Sequence, residues 1–247
     1  MTDADKTQFT LIIGAGSGIA GALITALASE EPDSGLLLVS RKPVDLPESA
    51  SVPIHQFRCD YSEAGIAQLV QELSPWHGRI GLVVISTGIL HTDTIKPEKR
   101  AEDLNMNNML EVLRINTVIP TLFLMKLLPA LRGEQPCRVF TLSARVGSIA
   151  DNHKGGWTSY RASKAALNMV IKTAAVEYAR RAPNVKLIAF HPGTVDTALS
   201  KPFQRSVPEG KLFKPDFVAN RLLTIAADLP IDGDASYLDW AGKSIVW

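Results

Sequence analysis

The sequence has little of what would tie it to a metal, a disulfide framework or a polyanion. It carries two cysteines in 247 residues. Cys59 and Cys137 lie far apart, each in or beside an apolar run where a reduced thiol behaves as a small hydrophobe, so no disulfide is expected. The five histidines, His55, His77, His91, His153 and His191, are scattered with no pair at metal-ligand spacing, so no metal site is expected either. Lysine and arginine (26) balance aspartate and glutamate (25) without a long run of either sign, which leaves no electrostatic footprint for nucleic acid or an anionic membrane. The start, "MTDADKTQFT", is polar and acidic where a signal peptide needs a basic residue and an apolar block, and no apolar run approaches membrane-spanning length. A cytoplasmic protein with a small, roughly neutral partner is expected.

What is present is alternation. Short apolar runs, "FTLII", "GLLLVS", "IHQFRC", "IGLVVIS", "CRVFTLS" and "VKLIAF", alternate with longer segments of helical spacing such as "AGALITALAS", "EAGIAQLVQEL", "NMLEVLRINTVIPTLFLMKLLPALR" and "YRASKAALNMVIKTAAVEYARR". Continuous apolar strands separated by helices indicate a parallel sheet covered on both faces. With 46% hydrophobic residues the chain can bury a large core, and α/β chains of this length are often one domain. The expectation is a single doubly wound Rossmann domain over residues 1–247, with about seven strands. A polar, proline- and lysine-rich stretch at residues 194–214 reads as a mobile substrate loop. A last helix, "FVANRLLTIAADL", and an apolar tail, "SYLDWAGKSIVW", close the chain.

The first strand runs into "GAGSGIAGAL". Gly14, Gly16 and Gly18, with Ser17 and Ile19, form the outline of a phosphate cradle: glycines let the backbone approach a pyrophosphate, and the helix start that follows favours an anion. Glycines also mark ordinary strand-to-helix turns, and the placement after the first strand of an alternating chain is what favours a nucleotide site. A dinucleotide fold that selects NAD places an acid at the end of the second strand. Here stand Ser40, Arg41 and Lys42, and a guanidinium suits a 2′-phosphate; solvated strand-end charges are the plain alternative. NADP(H) is therefore the expected cofactor, with NAD(H) possible. Asp60, after the third strand, would lie near the adenine or cap the helix that begins near Ser62.

"SYRASKAALN" places Tyr160 and Lys164 on one helix face a turn apart. With "GAGSGIA", "STG", "YRASK" and "HPGTVDT" in this order against the right elements, the sequence resembles the short-chain dehydrogenase/reductase family over nearly its whole length, and most of all its carbonyl-reductase-like subgroup, the C-factor and sniffer-like proteins. The resemblance implies an oxidoreductase that moves hydride between a nicotinamide cofactor and a carbonyl or alcohol substrate, with Tyr160 as general acid/base. A free tyrosine, pKa about 10, is a poor base near neutrality, and the Lys164 ammonium is expected to bring it closer to working pH. The resemblance also has Lys164 bond the nicotinamide ribose, gives Gly88 a place in the cofactor site, and lets Pro192, Gly193, Val195 and Thr197 meet the nicotinamide. It gives Asn116 a catalytic place in the fourth helix. Pro120, four residues on, has no N–H for the Asn116 carbonyl, so that carbonyl is expected to be freed, the helix kinked, and a proton-relay water held there.

The pattern departs in places. "ISTG" stands where the family has "NNAG", Ile13 replaces a threonine and Ala20 a glycine. Alignment on Gly147 puts Ala144 at the catalytic serine position and Ser143 one residue before it, so Ser143 is the candidate donor only if the strand end shifts by a residue. A homo-oligomer, dimer or tetramer, is expected from the apolar helices around residues 110–128 and 165–179. A second reading is a cofactor-sensing or signalling protein that keeps the fold with little turnover; Tyr160, Lys164 and Asn116 together argue against it.

Overall fold

The computed structural model describes residues 8–29 and 34–247. The start on which the expectation of no signal peptide rests lies, through residue 7, outside them. Strands β1 (Gln8–Ile13), β2 (Ser34–Ser40), β3 (Ile54–Arg58), β4 (Ile80–Ile85), β5 (Cys137–Leu142), β6 (Val185–His191) and β9 (Ala235–Asp239) form one sheet in the order β3-β2-β1-β4-β5-β6-β9, and every pairing is parallel. The seventh strand lies within what read as an apolar tail. Between β6 and β9, β7 (Thr194–Val195) and β8 (Leu212–Phe213) pair with each other.

Alternation along each strand sorts its side chains to opposite faces. Leu11 and Ile13 join Leu37, Val83 and Val139 beneath helices α2 (Glu63–Glu72), α4 (Ile119–Leu131) and α5 (Thr158–Arg181). Ile12 joins Leu38, Val84 and Phe140 under α1 (Gly18–Leu27) and α6 (Pro215–Asp228). Strand β2 is buried almost throughout, whereas on the edge strand β3 Ile54 and Phe57 are partly covered and the other three residues exposed. The chain crosses from β1 to β2 on one side and to β4 on the other, and at such a reversal the carboxyl ends of the strands leave a crevice for ligands.

Two sequence expectations need correcting here. Residues Met106–Leu131 form a continuous helical run of 26 residues, and an 18-residue stretch of it has mean hydropathy 1.4, long and apolar enough by those measures to cross a membrane. Half of that stretch is buried against the fold: α3 (Met106–Leu113) packs on α5, and α4 packs on α5 and β4, so its apolar character serves a core face. Residues 194–214 are also more regular than a loop, with the β7–β8 pair and a 3₁₀ turn at Lys201–Ser206.

Candidate active site

The carboxyl ends of β1, β4, β5 and β6 surround a cleft of about 650 Å³. At its β1 end, Gly14 has φ +82°, a left-handed conformation open to glycine, and a Cβ there would lie 2.7 Å from the Ser86 hydroxyl. Ser86 donates toward the carbonyls of Ile13 and Gly14, both at 2.9 Å, and accepts from Ser17 at 3.1 Å. One serine of "ISTG" thus braces the glycine loop. Ser17 caps α1 by accepting from the Ala20 amide, and the first turn of α1 holds no acidic residue. Nothing lies within 4 Å of where a Gly16 Cβ would stand. This open space at a helix start fits a diphosphate. Gly18 faces Thr197, whose methyl would be 2.9 Å from an added Cβ, so the segment after β6 closes on the glycine loop.

Gly16, Ser17, Gly18, Ile19, Gly88, Ser143, Tyr160, Lys164, Pro192, Gly193, Val195 and Thr197 all line this one cleft. Thr87 Oγ1 and His191 Nδ1, on residues of the same wall, are buried without a hydrogen-bond partner. Such atoms are costly unless a polar occupant satisfies them, and the carboxamide and ribose of a nicotinamide nucleotide supply polar groups of that kind. Burial, with Arg145 adding to it, holds His191 down to about 4 and therefore neutral.

Ser40, Arg41 and Asp60 stand outside the cleft lining. Arg41 lies over the Tyr61 ring at 5.9 Å, an exposed guanidinium at the end of β2. The Ser40 hydroxyl is turned to the Lys42 carbonyl. Asp60 accepts from the amide and hydroxyl of Ser62, at 2.9 and 2.7 Å, and Ser62 itself caps α2 through Gly65, so Asp60 holds the cap residue and does not cap the helix.

Asn116 is fully buried. Its amide accepts from Ile89 N at 2.7 Å and donates to Ile89 O at 2.8 Å and Ser163 Oγ at 3.0 Å. The proline effect takes the form of a π turn over Arg114–Val118, in which Ile119 N reaches back five residues to Arg114 O, rather than a bare kink. Gly88 sits between Asn116 and Lys164: an added Cβ would be 3.4 Å from Asn116 Oδ1 and 3.5 Å from Lys164 Nζ.

The Tyr160 hydroxyl has no hydrogen-bond partner among the described residues, although the ring is 8% exposed. Lys164 is 3% exposed; its ammonium donates to the Leu142 carbonyl at 2.8 Å and lies 5.9 Å from the Tyr160 ring centre. Burial pushes the Tyr160 phenol well above its ordinary range, with Tyr237 adding slightly, and holds Lys164 down to about 8. Desolvation disfavours both charges, and one of the three N–H donors of the ammonium is used on the strand end.

Ser143 also departs from expectation. It lines the cleft, but its hydroxyl donates to Asn168 Oδ1 at 2.6 Å, in a buried group that includes Tyr237, whose hydroxyl donates to the Ala144 carbonyl at 2.6 Å. Ala144 instead packs beside Tyr160 and Leu90. The strand end has not shifted to present Ser143: its one proton is committed elsewhere.

Sequence reading missed Glu98. It is 4% exposed, its carboxylate accepts from the Ser159 amide at 3.2 Å and from the Ser159 hydroxyl, and its carbonyl accepts from Trp157 N at 2.6 Å. Nothing local in "IKPEKRAED" marks it, because its partners lie some sixty residues on. It caps α5, which has no side-chain cap of its own. Trp157, at the α5 N-cap, has φ 54° and ψ 42°, a conformation that costs a bulky residue roughly 1–3 kcal/mol.

The short chain dehydrogenase family profile matches residues 8–207. The C-signal protein of Myxococcus xanthus is 30% identical over 145 residues, 59% of this chain and 82% of that protein. The carbonyl reductase Sniffer of D. melanogaster and the NADPH-bound carbonyl reductase from chicken fatty liver both superpose with TM-score 0.79 over 98% of this chain and 100% of theirs, at 19% and 22% identity. A profile spanning most of the sheet, on a seven-stranded parallel Rossmann fold with its cleft at the strand ends, makes this chain an oxidoreductase of the short-chain dehydrogenase family.

Proposed function

We propose that this protein is an NADP(H)-dependent reductase of ketones or aldehydes, with Tyr160 as proton donor. The observation that carries the reading is the Tyr160 hydroxyl, unpartnered and facing the same cleft as the open space over Gly16. Bound NADPH would supply the hydride to the carbonyl carbon. Tyr160 gives its phenolic proton to the carbonyl oxygen, so that a carbonyl becomes an alcohol. A neutral phenol carries the proton that reduction requires. Lys164, beside the phenol, stabilises the phenolate left behind. Asn116 holds the loop after β4 against α5 and keeps Gly88 next to Lys164; its carbonyl is the proposed seat of the relay water. Arg41 supports a preference for the 2′-phosphate, and the family's usual cytoplasmic setting is proposed with it.

With Ser143 engaged, Tyr160 is the protein's own donor to the carbonyl oxygen. A panel of aldehydes, ketones and quinones tested with native protein and Tyr160→Phe decides the matter. Phenylalanine keeps the ring and its packing, so fold and NADPH binding should persist while nearly all reduction is lost. Equal turnover by the variant rejects Tyr160 as donor. Similarity to C-signal, with Ala144 at the usual serine position, favours as a second reading a signalling or cofactor-sensing protein; a native protein that binds NADPH and reduces no panel member would support it.

A further inference from the structure

We propose that the cleft selects carbonyl compounds bearing a flat, uncharged aryl group, seated against Trp157 and Phe203 beside Tyr160, and that Glu98 is the positioning residue that sets this aromatic wall; the proposal rests on the carbonyl-reductase reading above. Leu90, Ala144 and Tyr160 form a buried apolar cluster, with Val146, Trp157 and Phe203 packed on it, apart from the two sheet faces. All six line the cleft. The Trp157 and Phe203 rings meet edge to face at 5.2 Å, Trp157 meets Tyr160 at 6.2 Å, and His91 meets Phe203 at 5.7 Å. Aromatic faces and edges arranged this way extend naturally to one more ring. Alanine at 144 leaves the space beside Tyr160 apolar.

Charge points the same way. Among the described residues no aspartate or glutamate lines the cleft. Of its lysines and arginines, Arg145 pairs with Asp239 at 3.2 Å and Asp151 at 3.5 Å, Lys164 is bonded to Leu142, and Lys211 lies out on the segment after β7. A carboxylate substrate would find no free cation beside the rings, and an uncharged one needs none.

The backbone shows that the wall is held in place. Gly155, Gly156 and Trp157 are three successive residues at φ +61°, +67° and +54°. Glycine adopts this conformation freely, and tryptophan does not. A glycine at 157 would suit the turn better, so the tryptophan is there for its ring. Glu98 fixes the strained residue: its carbonyl takes the Trp157 amide while its buried carboxylate holds Ser159, one residue before Tyr160. The α5 N-terminus provides a favourable field for that carboxylate.

The test compares acetophenone with cyclohexyl methyl ketone, matched in size and differing in the ring. Native enzyme should show kcat/KM about three- to tenfold higher for the aryl ketone, the scale of a well-placed ring contact. Trp157→Ala and Trp157→Gly, the second keeping the left-handed backbone, should bring the ratio close to one. Glu98→Ala should raise KM for acetophenone more than it changes kcat, with NADPH affinity unchanged, and Glu98→Gln, which can still accept from Ser159 N, should restore the native value. A native ratio near one, or a ratio that survives both Trp157 variants, overturns the aromatic wall; a Glu98→Ala enzyme with native KM overturns the positioning role. Calorimetric binding of unreactive benzamide and cyclohexanecarboxamide separates this proposal from the reaction it rests on. If neither ketone is reduced, tighter binding of benzamide that is lost in Trp157→Gly supports the wall and rejects only the reaction, whereas equal or absent binding rejects the wall.

Discussion

Lys164 should make the fold less stable than it could be. The residue is 3% exposed, and burial takes its pKa from an ordinary 10.5 to about 8. At about 1.36 kcal/mol per pH unit, holding that charge inside the fold costs roughly 3 kcal/mol at pH 7. Lys164→Met removes the charge and keeps the length of the side chain. It also gives up the bond to the Leu142 carbonyl, which borders the cleft and can be rehydrated, so the net gain at pH 7 is expected at about 1–3 kcal/mol. For a chain of this size that raises Tm by about 2–4 °C per kcal/mol. The sign follows from proton binding. Between about pH 8 and 10.5 the unfolded lysine is charged and the folded one largely neutral, so native stability rises with pH there, and the cost is fully present only below about 8. Urea unfolding of both proteins at pH 7 and pH 10.5 should therefore show the advantage of the variant shrinking toward zero at the higher pH, while its turnover is lost throughout. A variant less stable than native by the same amount at both pH values would refute the reasoning.

Other outcomes follow from the same geometry. Ser143→Ala leaves Asn168 Oδ1 without its donor and should cost about 1–3 kcal/mol in urea unfolding with kcat changed only a few-fold; a hundredfold fall in kcat with stability intact would return the hydroxyl to the substrate oxygen. Native protein should bind NADPH at least about tenfold tighter than NADH in calorimetry, the scale of a charge-assisted contact, and Arg41→Asp should remove that preference; equal native affinities would reject the role given to Arg41. Met169 and Val176 are exposed on α5 at 66% and 52%, and Val118 beside α4 at 49%, an apolar face that a second copy would cover. Light scattering on a sizing column should give a dimer or tetramer, and Met169→Glu with Val176→Glu should shift it to the 26.8 kDa monomer; a monomeric native protein rejects the association.

The strands were legible because a parallel strand buried on both faces is written as an unbroken apolar run, as "GLLLVS" and "VKLIAF" are. β9 was not, since Tyr237 and Asp239 give its short segment a mixed composition. Tyr160 and Lys164 could be read as neighbours from four-residue spacing, but their protonation depends on burial, which spacing does not encode. Counting back from Gly147 put Ala144 at the usual serine position, and in the structure Ala144 packs beside Tyr160. What Ser143 does instead depends on Asn168, which is brought to it by the packing of α5 on β5. Pro120 signalled a break in the helix at Asn116, although not its form. Glu98 left no local trace: its meaning is a contact between the segment after β4 and the start of α5.

The π turn at Arg114–Val118 amounts to one residue inserted into an otherwise regular helix. Deleting a residue within it would remove the insertion, and would turn every side chain on one side of the cut by about 100° relative to the other. Asn116 could then no longer meet both Ile89 and Ser163 while Phe123 and Leu127 keep their places beneath the sheet. The extra residue works as a phase adjustment between two halves of one helix: the C-terminal half follows the needs of the core, the N-terminal half follows the needs of the cleft, and the irregular turn is where the two periodicities are reconciled.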